Sequence, residues 1–110
     1  HLNSETEGLI GQQEILNLRK GSYLINTSRG EIIDEDALVS AIESKHLAGA
    51  AVDVISGEQT KNIKSHKLVK LARKSKNFYI TPHIAGLTIE SESKAQTAAY
   101  EAVTKYLERI

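Results

Sequence analysis

Four side chains that can do chemistry together are spread along this chain: Arg29, Asp53, Glu58 and His83. Arginine presents a rigid fork of N–H donors that matches a carboxylate and can polarise a neighbouring carbonyl. Histidine changes charge near neutral pH, so it can give or accept a proton. A carboxylate hydrogen-bonded to that imidazole fixes its tautomer and orientation. Taken singly, each residue has an ordinary explanation: a solvated or salt-bridged arginine, a turn aspartate, a loop glutamate, an exposed or structural histidine. What sets them apart is that each falls at or just beyond the end of a predicted strand.

The elements that must position them follow from pattern and punctuation. Ser22 to Asn26 reads as an apolar strand that ends abruptly in Thr27-Ser28-Arg29-Gly30. Gly49 to Ile55 reads as a second strand, rich in small residues that let a helix pack closely, with Asp53 interrupting it near the end and Glu58 just beyond. Phe78 to Thr81 is the third, stopped by Pro82, which has no N–H for a sheet ladder and so exposes His83. A short helix over Gln12 to Leu18 stops at Lys20-Gly21. A second starts at Glu35 after the N-cap Asp34, where Glu35 and Asp36 complement the helix dipole. It buries Ala37, Leu38, Ala41 and Ile42, leaves Asp36, Ser40, Glu43 and Ser44 to water, and ends near Lys45-His46.

Gly57 to Asn77 is a polar, lysine-rich loop carrying one short helix around Leu68, Val69, Leu71 and Ala72. From about Thr88 to Ile110 runs the longest helix, with Ala95, Ala98, Ala99, Ala102, Val103, Tyr106, Leu107 and Ile110 on one face. Strands alternating with helices imply a parallel sheet with right-handed crossovers. In such a sheet all three strand ends share one edge, where crevices open, so Arg29, Asp53, Glu58 and His83 converge.

Composition narrows the function classes. The 110 residues suit one domain with a modest core. With 14 basic and 14 acidic residues there is no broad field to attract nucleic acid or anionic lipid, so neither is expected as a partner. Cysteine is absent, and no apolar run is long enough to span a bilayer. No signal-peptide pattern opens the chain, and a cytoplasmic location is expected. No His or carboxylate pair has metal-ligand spacing within a helix, and His46 and His66 sit in polar, lysine-bearing contexts that suggest no catalytic role. No serine or threonine lies in a nucleophile elbow, and no internal repeat or low-complexity tract is present.

Three motifs in order carry a resemblance. The run from Leu24 to Leu38, Leu-Ile-Asn-Thr-Ser-Arg-Gly-Glu-Ile-Ile-Asp-Glu-Asp-Ala-Leu, resembles the signature around the catalytic arginine of D-isomer-specific 2-hydroxyacid dehydrogenases. His46-Leu47-Ala48-Gly49-Ala50-Ala51-Val52-Asp53-Val54 is similar to that family's next strand, and Thr81-Pro82-His83-Ile84-Ala85-Gly86 to its histidine segment. His1-Leu2, Glu5-Thr6 and Gly8-Leu9-Ile10 resemble the stretch before the arginine strand, so the likeness covers nearly the whole chain.

The resemblance implies a three-layer, Rossmann-like α/β fold, here its C-terminal half, as one partial NAD(P)-binding domain over residues 1–110. It implies Arg29 as the residue binding substrate carboxylate and carbonyl, His83 as the acid/base and Glu58 as its partner. By the same resemblance Asp53 contacts the nicotinamide, and His1, Leu2, Thr27, Ser28, Arg29, His83, Ala85 and Gly86 line the cofactor, NAD or NADP. The implied reaction is hydride transfer to or from a 2-keto or 2-hydroxy acid.

Two departures stand out. Gln59 follows Glu58 where the family has proline, and no G-x-G-x-x-G occurs anywhere. The chain is therefore expected to be a fragment, inactive alone and inclined to self-associate or to dock onto the missing half. The competing expectation is a non-enzymatic interaction or cofactor-binding module with vestigial catalytic residues.

Overall fold

In the computed structural model, which describes residues 1–109, three strands form one parallel sheet: β1 (Ser22–Asn26), β2 (Leu47–Val52) and β3 (Phe78–Ile80), in that spatial order. Register aligns Leu24 with Ala50 and Phe78, and Asn26 with Val52 and Ile80. These residues share one face because side chains alternate along a strand. Two helices cover that face. α2 (Glu35–Glu43) contributes Leu38, Ala41 and Ile42, and α3 (Lys67–Lys74) contributes Leu68 and Leu71. With Ala50, Val52 and Phe78 they form the core, each large side chain adding about 1.5–3 kcal/mol by leaving water. α1 (Gln12–Asn17) packs on α2 and buries Ile15.

Local chemistry sets the boundaries. Asp34 caps α2 as the sequence suggests, its carboxylate accepting the N–H groups of Asp36 at 3.0 Å and Ala37 at 3.1 Å. Gly21, at φ 87°, makes the left-handed turn into β1 that a side chain would resist. The expected α/β class with a parallel sheet is what forms. The opposite sheet face carries exposed Tyr23, Ile25 and Tyr79, so among the described residues no second helical layer covers it.

Two expectations are corrected. β2 runs from Leu47 to Val52, not from Gly49 to Ile55. Val54 and Ile55 are apolar and buried, yet they lie in the following loop, packed under the turn after β1, and period alone cannot tell these situations apart. The last helix, α4 (Ile89–Leu107), forms as expected, but its apolar stripe buries nothing: Tyr100, Val103, Tyr106 and Leu107 are all exposed. Ile110, assigned to that stripe, lies outside the described residues.

Candidate functional site

The site is assembled at the C-terminal edge of the sheet from the three strand ends. After β1, buried Asn26 organises the turn. Its Oδ1 accepts the N–H of Ser28 at 3.0 Å and its hydroxyl at 2.6 Å, while its Nδ2 donates to the Arg29 carbonyl at 2.9 Å. The Arg29 side chain is exposed and spends one donor, Nη1, on the Ser28 carbonyl at 2.6 Å. Its remaining N–H groups are free for an anion. Gly30 follows, and a Cβ there would stand 2.1 Å from the Ile55 carbonyl carbon and 2.2 Å from the Ser56 nitrogen. That close backbone approach brings the loop after β2 against the arginine turn.

Asp53, just past β2, knits the second strand end to the third. Its carboxylate is only 5% exposed; Oδ1 accepts the Thr81 hydroxyl at 2.5 Å and the Ile84 N–H at 3.0 Å, and Oδ2 accepts the Ala85 N–H at 2.9 Å. These bonds, Thr81's first, hold the carboxyl below the usual aspartate range. The Asp53 carbonyl in turn accepts the N–H of His83 at 3.0 Å. His83 itself adopts φ 54°, a left-handed conformation uncommon outside glycine.

Glu58 Oε1 lies 2.5 Å from His83 Nδ1. A carboxylate only accepts, so Nδ1 carries the proton and Nε2 is left for a ligand. Both side chains stay open, at 32% exposure for Glu58 and 47% for His83. They face a cleft of about 490 Å³ lined also by Leu2, Arg29, Gly30 and Gln59. A neighbouring groove of about 480 Å³ is lined by Thr27, Arg29, Asp53, His83, Gly86 and Leu87. Arg29 and His83 border both spaces.

The structure thus brings Arg29, Glu58, His83 and Leu2 to one cleft, and Thr27, Asp53 and Gly86 to its neighbour. Ser28 is turned away, both of its donors given to Asn26, and lines a separate groove with Ile10 and Leu18. The Ala85 amide is spent on Asp53. His1 is exposed, and its carbonyl accepts the Thr6 hydroxyl at 2.7 Å. The residues that hold the site were not singled out by sequence reasoning: Asn26, Gly30, Thr81 and a second carboxylate–histidine pair, Glu35 and His66. Asn26 and Thr81 carried a readable signal, a polar residue at the last inward position of a strand and a hydroxyl before proline.

Comparison with known proteins agrees with this architecture. Residues 1–85 match the NAD-binding domain of D-isomer specific 2-hydroxyacid dehydrogenases, and the chain belongs to that family. It is 40% identical over 103 residues to a D-3-phosphoglycerate dehydrogenase of Dictyostelium discoideum, covering 94% of this chain and 25% of that one. A putative 2-hydroxyacid dehydrogenase of Haemophilus influenzae is 44% identical over 84 residues, 76% of this chain and 26% of its own. Among solved structures, the D-lactate dehydrogenase of Aquifex aeolicus complexed with NAD and lactic acid superposes with a TM-score of 0.74 at 30% identity, over 97% of this chain and 35% of that one. A D-isomer specific 2-hydroxyacid dehydrogenase of Xanthobacter autotrophicus in complex with NADPH and MES gives 0.66 at 32% identity, over 82% and 27%. The chain spans about a quarter of the length of the curated relatives it matches.

The donor set suits one end of a dinucleotide. The groove offers the Thr27 hydroxyl, the free guanidinium donors and the one Asp53 oxygen that accepts a single bond, Oδ2, and it is walled by the apolar Leu87. Among the described residues no cluster of three or more His, Cys, Asp or Glu could hold a metal ion, and no helix is long and apolar enough to cross a membrane.

Proposed function

We propose that this chain serves, as part of an oxidoreductase, in hydride transfer between a nicotinamide cofactor, NAD or NADP, and a D-2-hydroxy or 2-keto acid. The observation that carries the reading is the Glu58–His83 pair opening onto the same cleft as the exposed Arg29. Arg29 binds the substrate carboxylate through paired N–H donors and polarises the adjacent carbonyl. His83, its Nδ1 proton held by Glu58, presents Nε2 to the substrate oxygen and moves the proton that balances the hydride. Glu58 fixes the ring and stabilises the imidazolium when it forms. The bound cofactor supplies or accepts the hydride at nicotinamide C4. Thr27, Asp53 and Gly86 would hold that end of it, a reading supported by the groove they share.

The 110 residues contain no G-x-G-x-x-G to cradle a pyrophosphate, which supports weak NAD(H) affinity and no turnover by this chain alone. The open sheet face at Tyr23, Ile25 and Tyr79 supports self-association, or docking onto a chain that carries the glycine-rich half. Light scattering that shows a monomer at all concentrations would contradict that part.

The test of the site is a titration of pyruvate, with and without NADH, followed by the side-chain N–H signals of Arg29 and the ring signals of His83. Perturbation of both is expected, with that of His83 lost in Arg29→Ala. Equal binding by Arg29→Ala, or no perturbation of either residue, would refute the assignment. A non-enzymatic cofactor module predicts NADH binding that Asp53→Ala abolishes but no response of Arg29 to pyruvate.

A further inference from the structure

A second carboxylate–histidine pair lies behind the first, and the chemistry above does not use it. Glu35, the first residue of α2, is 8% exposed, and its burial raises its pKa above the usual glutamate value. His66 stands as N-cap of α3: its Nδ1 accepts the Leu68 N–H at 3.2 Å, so Nε2 must carry the ring proton. That Nε2–H is 3.0 Å from the Ser56 carbonyl oxygen and 3.3 Å from Glu35 Oε2. Glu35 Oε1 in turn accepts the Ser56 N–H at 2.7 Å. Ser56 is therefore held at both backbone polar groups, one by each member of the pair.

What Ser56 precedes gives this its meaning. Gly57 is next, at φ 62°, its N–H 3.5 Å from Glu31 Oε1, and Glu58 follows. A left-handed glycine is a joint with little stiffness of its own. The direction in which Glu58 leaves it is set by what anchors the residue before. On the other side of Ser56, the Gly30 backbone fills the space against Ile55 and blocks retreat in that direction.

We propose that Glu35 and His66 are positioning residues for Glu58: by gripping Ser56 from α2 and α3 they hold the Glu58 carboxylate on His83 Nδ1. The proposal rests on the reading of Glu58 and His83 given under Proposed function. A pair that merely satisfied buried polar groups would leave the His83 ring indifferent to its loss.

The experiment is ring-nitrogen NMR of the ¹⁵N-labelled 110-residue chain at about pH 8, above the ordinary histidine range, where the tautomer of each imidazole is read directly. In the unaltered chain His83 is Nδ1-protonated and His66 Nε2-protonated. Glu58→Ala sets the reference for a released His83, whose proton shifts toward Nε2. Glu35→Ala moves His83 toward that reference, lowering its Nδ1-protonated fraction by about twofold or more. Glu35→Gln, which still accepts from Ser56, restores part of the effect.

His66→Asn guards against loss of folding, because asparagine keeps the N-cap on Leu68 while its shorter side chain cannot reach Ser56. It is expected to shift His83 in the same direction with far-UV circular dichroism unchanged. If His83 keeps its pattern in both Glu35→Ala and His66→Asn while Glu58→Ala changes it, the positioning role is overturned and the Glu58–His83 reading stands. If Glu58→Ala itself leaves His83 unchanged, the functional reading falls and the positioning role with it.

Discussion

The two carboxylate–histidine pairs, Glu58–His83 and Glu35–His66, are joined through the short loop Ser56-Gly57-Glu58 and are physically opposite. The first is 32% exposed at Glu58 and 47% at His83, with the histidine backbone in a left-handed conformation and one ring nitrogen free. In the second, 7% and 14% of the side chains are exposed, and both imidazole nitrogens are engaged. The same two residue types thus give a reactive group in one place and a fastener in the other. Solvent access and a spare lone pair make the difference, and neither is a property of the residues themselves. An exposed pair contributes little to folding and is free to bind; a buried one has every polar atom committed to structure.

Gly30→Ala should break both pairs at once, since a methyl 2.1 Å from the Ile55 carbonyl carbon must displace the loop that carries Ser56 and Glu58. The expected cost is about 3 kcal/mol or more, a fall in Tm of more than about 10 °C by calorimetry. A variant that melts normally would show that the close approach is not what seats the loop.

The contrast itself is sharpened by two single substitutions. Glu35→Ala leaves the Ser56 N–H without an acceptor and should destabilise by about 1–3 kcal/mol. Glu58→Ala removes an exposed partner and should cost about 0–1 kcal/mol in urea unfolding while abolishing the response of His83 to ligand. Equal losses of stability would erase the distinction between the two pairs.

The smallest effect concerns acid, where two buried carboxylates act in opposite senses. Glu35 has a raised pKa in the folded chain, so its favourable contribution is complete below the ordinary glutamate value and is lost as pH rises through the folded one. Asp53 has a lowered pKa, so its contribution is complete above the ordinary aspartate value and is lost as pH falls through the folded one. Titrating from neutral toward acid, Tm should first gain from Glu35 and then lose from Asp53. Glu35→Gln should flatten the gain and Asp53→Asn the loss.

Much of this was legible in the chain. Strand ends could be read from polar punctuation, as at Asn26-Thr27 and Pro82, and a parallel sheet then obliges Arg29, Glu58 and His83 to meet. The second pair was hidden for a physical reason. Glu35 already had a sufficient role in the first turn of a helix, and His66 sat among lysines; their meeting across 31 positions depends on how α2 and α3 pack, which no local pattern encodes. Val54 and Ile55 misled similarly, since an apolar loop pressed under Gly30 has the same composition as one more turn of strand.

The spatial order β1-β2-β3 repeats the order of synthesis, and this gives the cleft a direction in time. Arg29 is translated first, and the partners of the Asp53 carboxylate, Thr81, Ile84 and Ala85, all come after it in the chain. The three bonds to the Asp53 carboxylate, and the separate bond from the His83 N–H to the Asp53 carbonyl, all draw on residues translated last, so the cleft is complete only once the third strand end has been made.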